Sequence, residues 1–313
     1  MTAAEAKRAI SGPLIPVITN LKPDLSVDFD AIAYNVRYVV ERGIRYGQGA
    51  LLAVGAGGDF PSLSLAERKA VARTIVEAAA GEAPVIVGAQ DTNPATSVEI
   101  AHYAEEIGAF GIQLSPTYYY EPSDDDVLRL YRLVHDSTRR IAIMAYNTWW
   151  HSYNFPLEVI ERLCELERIV SLKWSTPDGG TSYMQGVARF CDRLAMVDNQ
   201  GFEVLNHMLG GTGFVTHLAT VWPEHDVALF QTMQAGQYQA ALEDVKQVNW
   251  PWGDFRGKIW KRSGGESNVV KAALELVGRP GGPNRPPTRS LDAEEREELR
   301  LLLKQIGVPH VGG

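Results

Sequence analysis

Short apolar segments alternate with amphipathic helical segments along most of this 313-residue chain. Eight of the apolar segments are predicted as strands, at residues 14–19, 49–54, 84–88, 110–115, 141–146, 169–174, 194–197 and 213–217. A helical segment follows each strand, which is the pattern of parallel β/α units whose strands are buried on both faces. Eight such units predict an α/β protein, a closed (β/α)8 TIM barrel.

The chain changes character after the eighth unit. From about residue 231 the pattern is helical, with segments at 238–248, 267–277 and 291–306. No linker or low-complexity segment divides the chain. We therefore predict a barrel over residues 1–230 and a helical C-terminal extension over residues 231–313, packed on the barrel as one structural unit.

Composition and charge exclude several classes of partner. The net charge is -8 and no stripe of lysine or arginine offsets it, which argues against nucleic acid. No window approaches the ~18 consecutive apolar residues of a membrane-spanning helix. The N-terminal residues 1–12 mix charges with alanines and do not resemble a signal peptide. We therefore expect a cytoplasmic protein with no nucleic-acid and no membrane partner.

A lysine, Lys173, lies at the C-terminal end of the sixth predicted strand. An amine in an apolar strand loses hydration, which lowers its pKa toward neutrality, and a neutral amine is a nucleophile toward carbonyls. On this segment alone, a lysine that ends the strand and extends to water is the alternative interpretation. Because the C-terminal ends of barrel strands face one common mouth, Lys173 is a candidate for forming a Schiff base.

Other strand ends carry groups that complement an amine. Residues 55–59 after the second strand are small and leave backbone N–H groups open to an anion. The fifth strand ends in Tyr146 and Asn147, and the eighth in Thr216 and His217. An anion-binding loop, a phenol and an amine suit a 2-oxo acid that condenses with the lysine while its carboxylate contacts backbone amides. The strand ends lack the paired histidines and carboxylates of a metal-dependent hydrolase, so no metal is predicted.

Motifs along nearly the whole chain, from Gly12 to the C-terminus, resemble the dihydrodipicolinate synthase and N-acetylneuraminate lyase family of class I pyruvate-type aldolases. The matching segments are residues 54–63 (VGAGGDFPSL) against G-T-T-G-E-x-x-x-L, Tyr118-Tyr119 after Pro116 against P-Y-Y, Tyr146-Asn147 against Y-N, Ser171-Leu172-Lys173 against G-x-K, residues 210–216 (GGTGFVT) against G-G-x-G-x-x-S, and Arg285-Pro286-Pro287 against R-x-P. Each motif is weak alone. Their order and spacing make a chance resemblance improbable.

The resemblance implies a role for each matched residue. Lys173 would form the imine, Tyr146 would transfer protons to and from the substrate, and the amides of Ala56 and Gly57 would hold the 2-oxo acid carboxylate. Tyr119 matches a second tyrosine that a neighbouring subunit contributes, which implies a homotetramer built as a dimer of dimers. The covalent imine on lysine implies that no separate cofactor is needed.

The chain departs from the synthase pattern at three positions. Ala56 and Gly57 replace the two threonines of the loop, which removes a hydroxyl relay to Tyr146. His151 stands where the synthases have an arginine for the carboxylate of the aldehyde partner, and histidine provides no permanent bidentate cation. These departures argue against the synthase reaction itself.

Aromatic residues near the predicted mouth offer a flat apolar surface. Trp149, Trp150 and the tyrosines at 118–120 would suit an aromatic or sugar-like acceptor. For the two tryptophans, packing or a subunit interface is an equal alternative. For His151 and His217, a structural or hydrogen-bonding role competes with catalysis. The predicted substrate-binding residues are Ala56, Gly57, Gly58, Asn147, Trp149, His151 and Thr216.

The sequence therefore predicts a carbon–carbon or carbon–oxygen lyase that acts on pyruvate or another 2-oxo acid through a Schiff base on Lys173. Its partners would be the 2-oxo acid and an aldehyde. Aldol or retro-aldol cleavage, a hydratase-aldolase reaction and dehydration all remain open, whereas true dihydrodipicolinate synthesis is not expected. The alternative is a catalytically silent barrel that binds or senses an organic acid.

Overall fold

A closed barrel of eight strands forms the centre of the described chain, which comprises residues 3–312 of the computed structural model. The strands are β1 Gly12–Pro16, β2 Ala50–Ala53, β3 Val85–Gly88, β4 Gly111–Leu114, β5 Ala142–Tyr146, β6 Ile169–Trp174, β7 Ala195–Asp198 and β8 Gly213–Val215. They lie in chain order, and β8 pairs in parallel with β1, with Gly213 opposite Gly12. The predicted (β/α)8 TIM barrel is confirmed.

Helices connect the strands and continue after β8. They are α1 Ala3–Ala9, α2 Phe29–Glu41, α3 Leu65–Ala79, α4 Pro94–Glu106, α5 Asp124–Ser137, α6 Leu157–Leu163, α7 Thr181–Phe190, α8 Glu203–Met208, α9 Leu218–Val221, α10 Pro223–Gln234, α11 Tyr238–Gln247, α12 Asn249–Trp260, α13 Asn268–Leu276 and α14 Ala293–Gln305. The helical C-terminal part predicted from sequence is present. Among residues 3–312, no helix combines the length and hydrophobicity needed to cross a bilayer.

The chain forms two compact units. The first contains the N-terminal segment through Leu14, Arg45–Leu52 and Gly81–Val215; the second contains Ile15–Ile44, Ala53–Ala80 and the segment from Thr216 onward. The division at residue 230 that the sequence predicts stays a prediction.

The core of the first unit joins α1 to the strands. Ala6, Ala9 and Ile10 pack with a set of strand residues, namely Leu14, Ala50, Leu52, Ile86, Ala142, Met144, Val170, Ala195 and Val197. Several of these are two positions apart in one strand, as expected for side chains on a single face. Helix α1 was not predicted from the sequence, because a helix of seven residues depends on packing rather than on its own propensity.

The core of the second unit is built largely from C-terminal helices. Trp252, Phe255 and Ile259 of α12 pack with apolar residues of α13 and α14, including Val270. Helix α12, which contains Pro251, was also not predicted from the sequence. Proline is tolerated there because it falls in the first turn, where backbone N–H groups have no intrahelical acceptor.

The first and last strands end earlier than the sequence predicts. The Thr19 hydroxyl donates to the Gly58 carbonyl at 2.7 Å. The Thr216 hydroxyl donates to Asp226 Oδ2 at the same distance. Both β-branched residues continue the apolar pattern in sequence but lie beyond the observed strand ends, and their hydroxyls bond to a loop and to a helix.

Candidate active site

A β-bulge interrupts β6 shortly before its lysine. Ile143 of β5 pairs with Ile169, but the next residue, Met144, pairs with Ser171, so Val170 is an extra residue on β6. Successive side chains of a strand point to opposite faces. One extra residue therefore moves every later side chain of β6 to the other face.

Lys173 consequently lies on the interior face of the barrel wall. It pairs with Tyr146 of β5 on one side and with Val197 of β7 on the other. Val197 belongs to the interior core of the first unit, as does Met144, which lies two positions before Tyr146. With an uninterrupted register, Lys173 would share the face of Ile169, opposite to this core.

The amine of Lys173 and the ring of Tyr146 are in direct contact. The Nζ atom is 4.1 Å from the ring centroid. Lys173 is 5% and Tyr146 9% exposed, so both side chains are largely shielded from solvent. A carbonyl compound joined to this amine would therefore lie beside the tyrosine. The structure brings together the two residues that the sequence analysis predicted for imine formation and proton transfer.

A buried tyrosine of α5, Tyr131, supports the end of β5. Its hydroxyl donates to the Leu114 carbonyl of β4 and interacts with the backbone N–H of Tyr146. Burial raises the pKa of Tyr131 well above its usual value, so the phenol stays neutral and can donate. Tyr131 was not among the predicted site residues, because its only sequence signal is its place on the apolar face of a predicted helix.

Asn147 ties together the two ends of the loop at 148–154. It is fully buried, and its Nδ2 donates to Asn154 Oδ1 at 2.8 Å and to the Ser175 carbonyl at 2.7 Å. Its Oδ1 accepts a hydrogen bond from the Phe155 N–H at 2.9 Å. These bonds position the loop. The predicted contact of Asn147 with substrate stays a prediction.

The same loop carries a row of aromatic rings next to Tyr146. The Trp150 ring contacts the Tyr146 ring edge to face, with 5.9 Å between the two centroids. Trp149 and His151 each pack on Trp150, at 5.4 and 5.7 Å. Trp149 and His151 are among the substrate-binding residues predicted from the sequence, whereas Trp150 is not. Neighbouring tryptophans give no sequence signal for which one faces the site, so both assignments stay predictions.

Tyr119 projects into solvent in a strained conformation. It is 85% exposed, and its φ of 88° lies in the left-handed region that non-glycine residues rarely adopt. Its ring packs edge to face on the exposed Tyr120, 5.2 Å away. Such strain costs about 1–3 kcal/mol and is found mainly at functional sites. The predicted role in a neighbouring subunit's site stays a prediction.

The glycine loop of the second unit follows β2 as a short 3-10 helix, Ala56–Gly58. Ala56 and Gly57 begin this helix, so their N–H groups have no intrahelical acceptor. The Gly58 carbonyl accepts a hydrogen bond from the Thr19 hydroxyl. Gly58 has no room for a side chain, because a Cβ would lie 2.8 Å from the Val17 carbonyl oxygen. The predicted carboxylate-binding role of the loop stays a prediction.

A buried ion pair anchors the end of this loop. Lys271 is 1% exposed, and its Nζ is 3.0 Å from Asp59 Oδ2 and 3.1 Å from the Pro283 carbonyl. The Ser267 hydroxyl lies 2.7 Å from both carboxylate oxygens of Asp59. Burial lowers the pKa of Lys271, and the neighbouring carboxylate opposes that shift. This ion pair was not predicted from the sequence, although a lone lysine in an apolar helix was a usable signal.

Thr216 belongs to a charged network of the second unit. Its hydroxyl donates to Asp226, whose other oxygen is 3.0 Å from His225 Nδ1. His225 Nε2 is 2.9 Å from Asp244. Burial disfavours the charged imidazole, but its interactions with the two carboxylates prevail and raise the pKa of His225 to about 10. The predicted contact of Thr216 with substrate stays a prediction.

Comparison with known proteins agrees with the fold and with the motifs. The Dihydrodipicolinate synthetase family matches residues 9–306. The 4-hydroxy-tetrahydrodipicolinate synthase 1 of Halalkalibacterium halodurans is 30% identical over 268 residues, covering 85% of this chain and 88% of that protein.

Two solved structures share the fold. The E. coli prophage protein YagE, of the dihydrodipicolinic acid synthase family and crystallised with pyruvate, has a TM-score of 0.83 at 23% identity, covering 95% of this chain and 99% of that one. A monomeric dihydrodipicolinate synthase variant has a TM-score of 0.83 at 22% identity, covering 96% of this chain and 98% of that one. With a match that spans most of its length, this chain belongs to the Dihydrodipicolinate synthetase family.

Proposed function

We propose that this protein is a class I lyase that binds pyruvate or another 2-oxo acid as an imine on Lys173. The observation that carries the proposal is the shielded amine of Lys173, 4.1 Å from the Tyr146 ring and directed to the barrel interior by the bulge in β6. Family membership and the crystallisation of YagE with pyruvate support the choice of substrate class.

The proposed chemistry needs one amine and one proton-transfer group. The Lys173 amine attacks C2 of the 2-oxo acid, and loss of water leaves an iminium. The iminium withdraws electrons, so C3 can lose a proton and the resulting enamine can attack an aldehyde carbon. In the cleavage direction, the C3–C4 bond breaks, the aldehyde leaves, and C3 regains a proton. Tyr146 is the group beside the amine that would carry these protons.

The aldehyde partner is proposed to be aromatic or derived from a sugar. Trp150 lies edge to face against Tyr146, and Trp149 extends the aromatic surface. In place of the synthase arginine, the loop carries His151. Loss of a charge-assisted contact costs about 1.5–3 kcal/mol, or roughly one to two powers of ten in rate. We therefore expect slow condensation with aspartate semialdehyde and do not assign the synthase reaction.

The assembly is proposed to be a homotetramer in which Tyr119 serves a neighbouring subunit. The exposure of Tyr119 and its left-handed backbone support an exchange of this kind. Light scattering at working concentration should give four times the chain mass. A monomer in solution would contradict both the assembly and the shared tyrosine.

Borohydride trapping tests the imine. Incubation with pyruvate and borohydride should add a stable mass to the peptide that contains Lys173 and none to the peptide that contains Lys271. A mass on another lysine, or no mass with any 2-oxo acid tried, would refute the proposal. Tyr146→Phe should still form the imine but lower kcat by about 10²–10⁴, the usual contribution of a positioned proton-transfer group.

A product assay identifies the reaction. Release of pyruvate is measured from arylidene-pyruvates and from 2-oxo-3-deoxy sugar acids, alongside condensation of pyruvate with aspartate semialdehyde. We expect the fastest turnover with one of the first two substrate classes. Fastest turnover with aspartate semialdehyde would show that the changes at Ala56, Gly57 and His151 do not alter specificity.

A further inference from the structure

A buried tyrosine attaches the loop at 148–154 to helix α5. Tyr153 is 8% exposed, and its hydroxyl donates to Asp124 Oδ1 at 2.5 Å. This length is typical of a charge-assisted O–H···O⁻ hydrogen bond, which is stronger than a bond between neutral groups. Burial and the neighbouring carboxylate both raise the pKa of Tyr153 well above its usual value, so the phenol stays neutral and keeps the proton that it donates. The bond therefore joins the loop firmly to the start of α5.

The start of α5 is capped without the Asp124 side chain. Ser123 is the N-cap residue and forms a capping box with Asp126, which satisfies backbone N–H groups of the first turn. Asp125, between the two, has a carboxylate oxygen 3.6 Å from Arg162 of α6. The three consecutive carboxylates of this turn thus have three different partners, and the partner of Asp124 is the tyrosine of the loop.

Tyr153 also closes the loop on itself. It forms an isolated antiparallel bridge with Thr148, so the residues between them make a tight turn. The His151 N–H donates to the Thr148 carbonyl at 2.8 Å and closes the turn further. Trp150 lies within this turn, with its ring against that of Tyr146. Because the turn is so short, a displacement of Tyr153 must also displace the Trp150 ring.

The ring of Tyr153 continues toward the strand that carries Tyr146. It packs edge to face on Phe155, with 5.6 Å between the centroids, and Phe155 packs in the same way on Tyr131 at 6.0 Å. Tyr131 in turn interacts with the backbone N–H of Tyr146. Tyr153→Phe would keep this row of rings and remove only the hydroxyl. The hydrogen bond to α5 can therefore be tested separately from the aromatic packing.

We propose that Asp124 and Tyr153 are positioning residues that determine the acceptor specificity through Trp150. Their hydrogen bond keeps the indole against Tyr146, where it receives the aromatic ring of an aryl aldehyde. This inference rests on the proposed function, which places the imine on Lys173 and names an aromatic aldehyde as one of two acceptor classes. Trp150 is 41% exposed in spite of its contact with Tyr146, so it still presents ring surface to an acceptor. All of these residues belong to the first compact unit.

A comparison of two aldehydes on the full-length protein tests this inference. Condensation of pyruvate with benzaldehyde and with propanal is followed for each variant, and the ratio of the two kcat/KM values measures the preference for an aromatic acceptor. Tyr153→Phe and Asp124→Ala should each lower this ratio roughly three- to tenfold, the effect of losing one partly exposed charge-assisted hydrogen bond. Asp124→Asn, which keeps a hydrogen-bond acceptor, should lower the ratio less. Labelling of Lys173 with pyruvate and borohydride should remain as in the parent.

A double-variant cycle shows whether the two residues act through Trp150. Trp150→Ala should lower the ratio at least as much as Tyr153→Phe, and combining the two changes should have no further effect. Additive losses would overturn the role of Trp150. Asp125→Ala removes the neighbouring carboxylate, which lies near Arg162 of α6, and is the matched control that should keep the parent ratio. Asp124→Ala replaces an exposed residue and carries the test if Tyr153→Phe does not fold.

The remaining outcomes distinguish this inference from the proposed function. If Tyr153→Phe and Asp124→Ala unfold at lower denaturant but keep the parent ratio, the hydrogen bond is structural only and the inference is refuted, whereas labelling of Lys173 leaves the proposed function intact. An equal fall of the ratio in Asp125→Ala would also refute it, because the charge of the helix start would then be responsible. A labelled parent without preference for benzaldehyde refutes the inference and the aromatic acceptor but not the imine. If the parent takes up no mass with any 2-oxo acid, both proposals fall together.

Discussion

Lys173 and Lys271 are both nearly inaccessible to solvent, at 5% and 1% exposure, yet their surroundings differ. Lys271 in the second unit is 3.0 Å from the Asp59 carboxylate and also donates to a backbone carbonyl. Lys173 in the first unit faces the ring of Tyr146 at 4.1 Å. One lysine anchors a loop, and the other is directed to the barrel interior beside a phenol.

The difference shows that burial alone does not identify a nucleophilic amine. Desolvation lowers the pKa of any buried lysine, but a carboxylate within hydrogen-bond distance favours the protonated form, which cannot attack a carbonyl. Asp59 opposes the effect of burial on Lys271 in this way. The chemical role of a buried lysine therefore depends on its nearest partner.

Replacement of Lys173 should have the largest effect and tests the comparison directly. Lys173→Met should abolish trapping with pyruvate, and Lys271 should not take over the reaction because its proton is held by Asp59. Peptide mass analysis after borohydride treatment measures both sites. Labelling of Lys271 in this variant would show that its ion pair does not suppress nucleophilicity.

Loss of the Asp59 charge should destabilise the fold. Asp59→Asn leaves the Lys271 ammonium buried without its counter-ion, which costs about 3–5 kcal/mol in free energy of unfolding. The double variant Asp59→Asn with Lys271→Met should recover part of this loss. Denaturant unfolding measures the stability of each variant. Lys173→Met is the matched control for the double variant, because it also removes a buried lysine. Equal stability of Asp59→Asn and the parent would remove the distinction drawn between the two lysines.

The smallest expected effect concerns a second ion pair of the loop region. A hydrogen bond from Arg285 at 2.6 Å lowers the pKa of Glu67 from 4.5 to about 2. The stabilisation that the ionised Glu67 gives to the folded state is therefore complete above pH 4.5 and is lost as the pH falls toward 2.

Glu67→Gln should reduce the free energy of unfolding at pH 7 by only about 1 kcal/mol, because the pair is partly exposed and screened. The difference between variant and parent should vanish at low pH. Unfolding curves at several pH values measure it, and a difference that persists at the lowest pH would point to packing instead of charge.

Much of the architecture follows from local sequence patterns. Alternating strands and helices predict the eight-stranded barrel because apolar periodicity and capping are properties of neighbouring residues. The capping box of α3, with Ser64 three residues before Glu67, is visible in sequence and present in the structure. Elements that depend on distant packing were missed, as α1 and α12 show.

The candidate site divides in the same way. The sequence places Lys173 and Tyr146 at the C-terminal ends of two successive strands, and the structure pairs these residues in adjacent strands. The sequence does not reveal that Trp150, rather than Trp149, contacts Tyr146. It also does not reveal that Tyr131 supports β5. These contacts depend on how loops and helices pack, and no spacing rule within one segment encodes them.

The sequence by itself determined that a lysine ends an inner strand of an eight-unit barrel, because composition and period are local. Only the tertiary structure decided which face of β6 this lysine occupies. Val170 is one residue too many for the pairing with β5, and the resulting bulge turns Lys173 toward the interior. Strand register depends on the neighbouring strand as well as on the segment itself, and for that reason the direction of the amine could not be predicted from the sequence of β6.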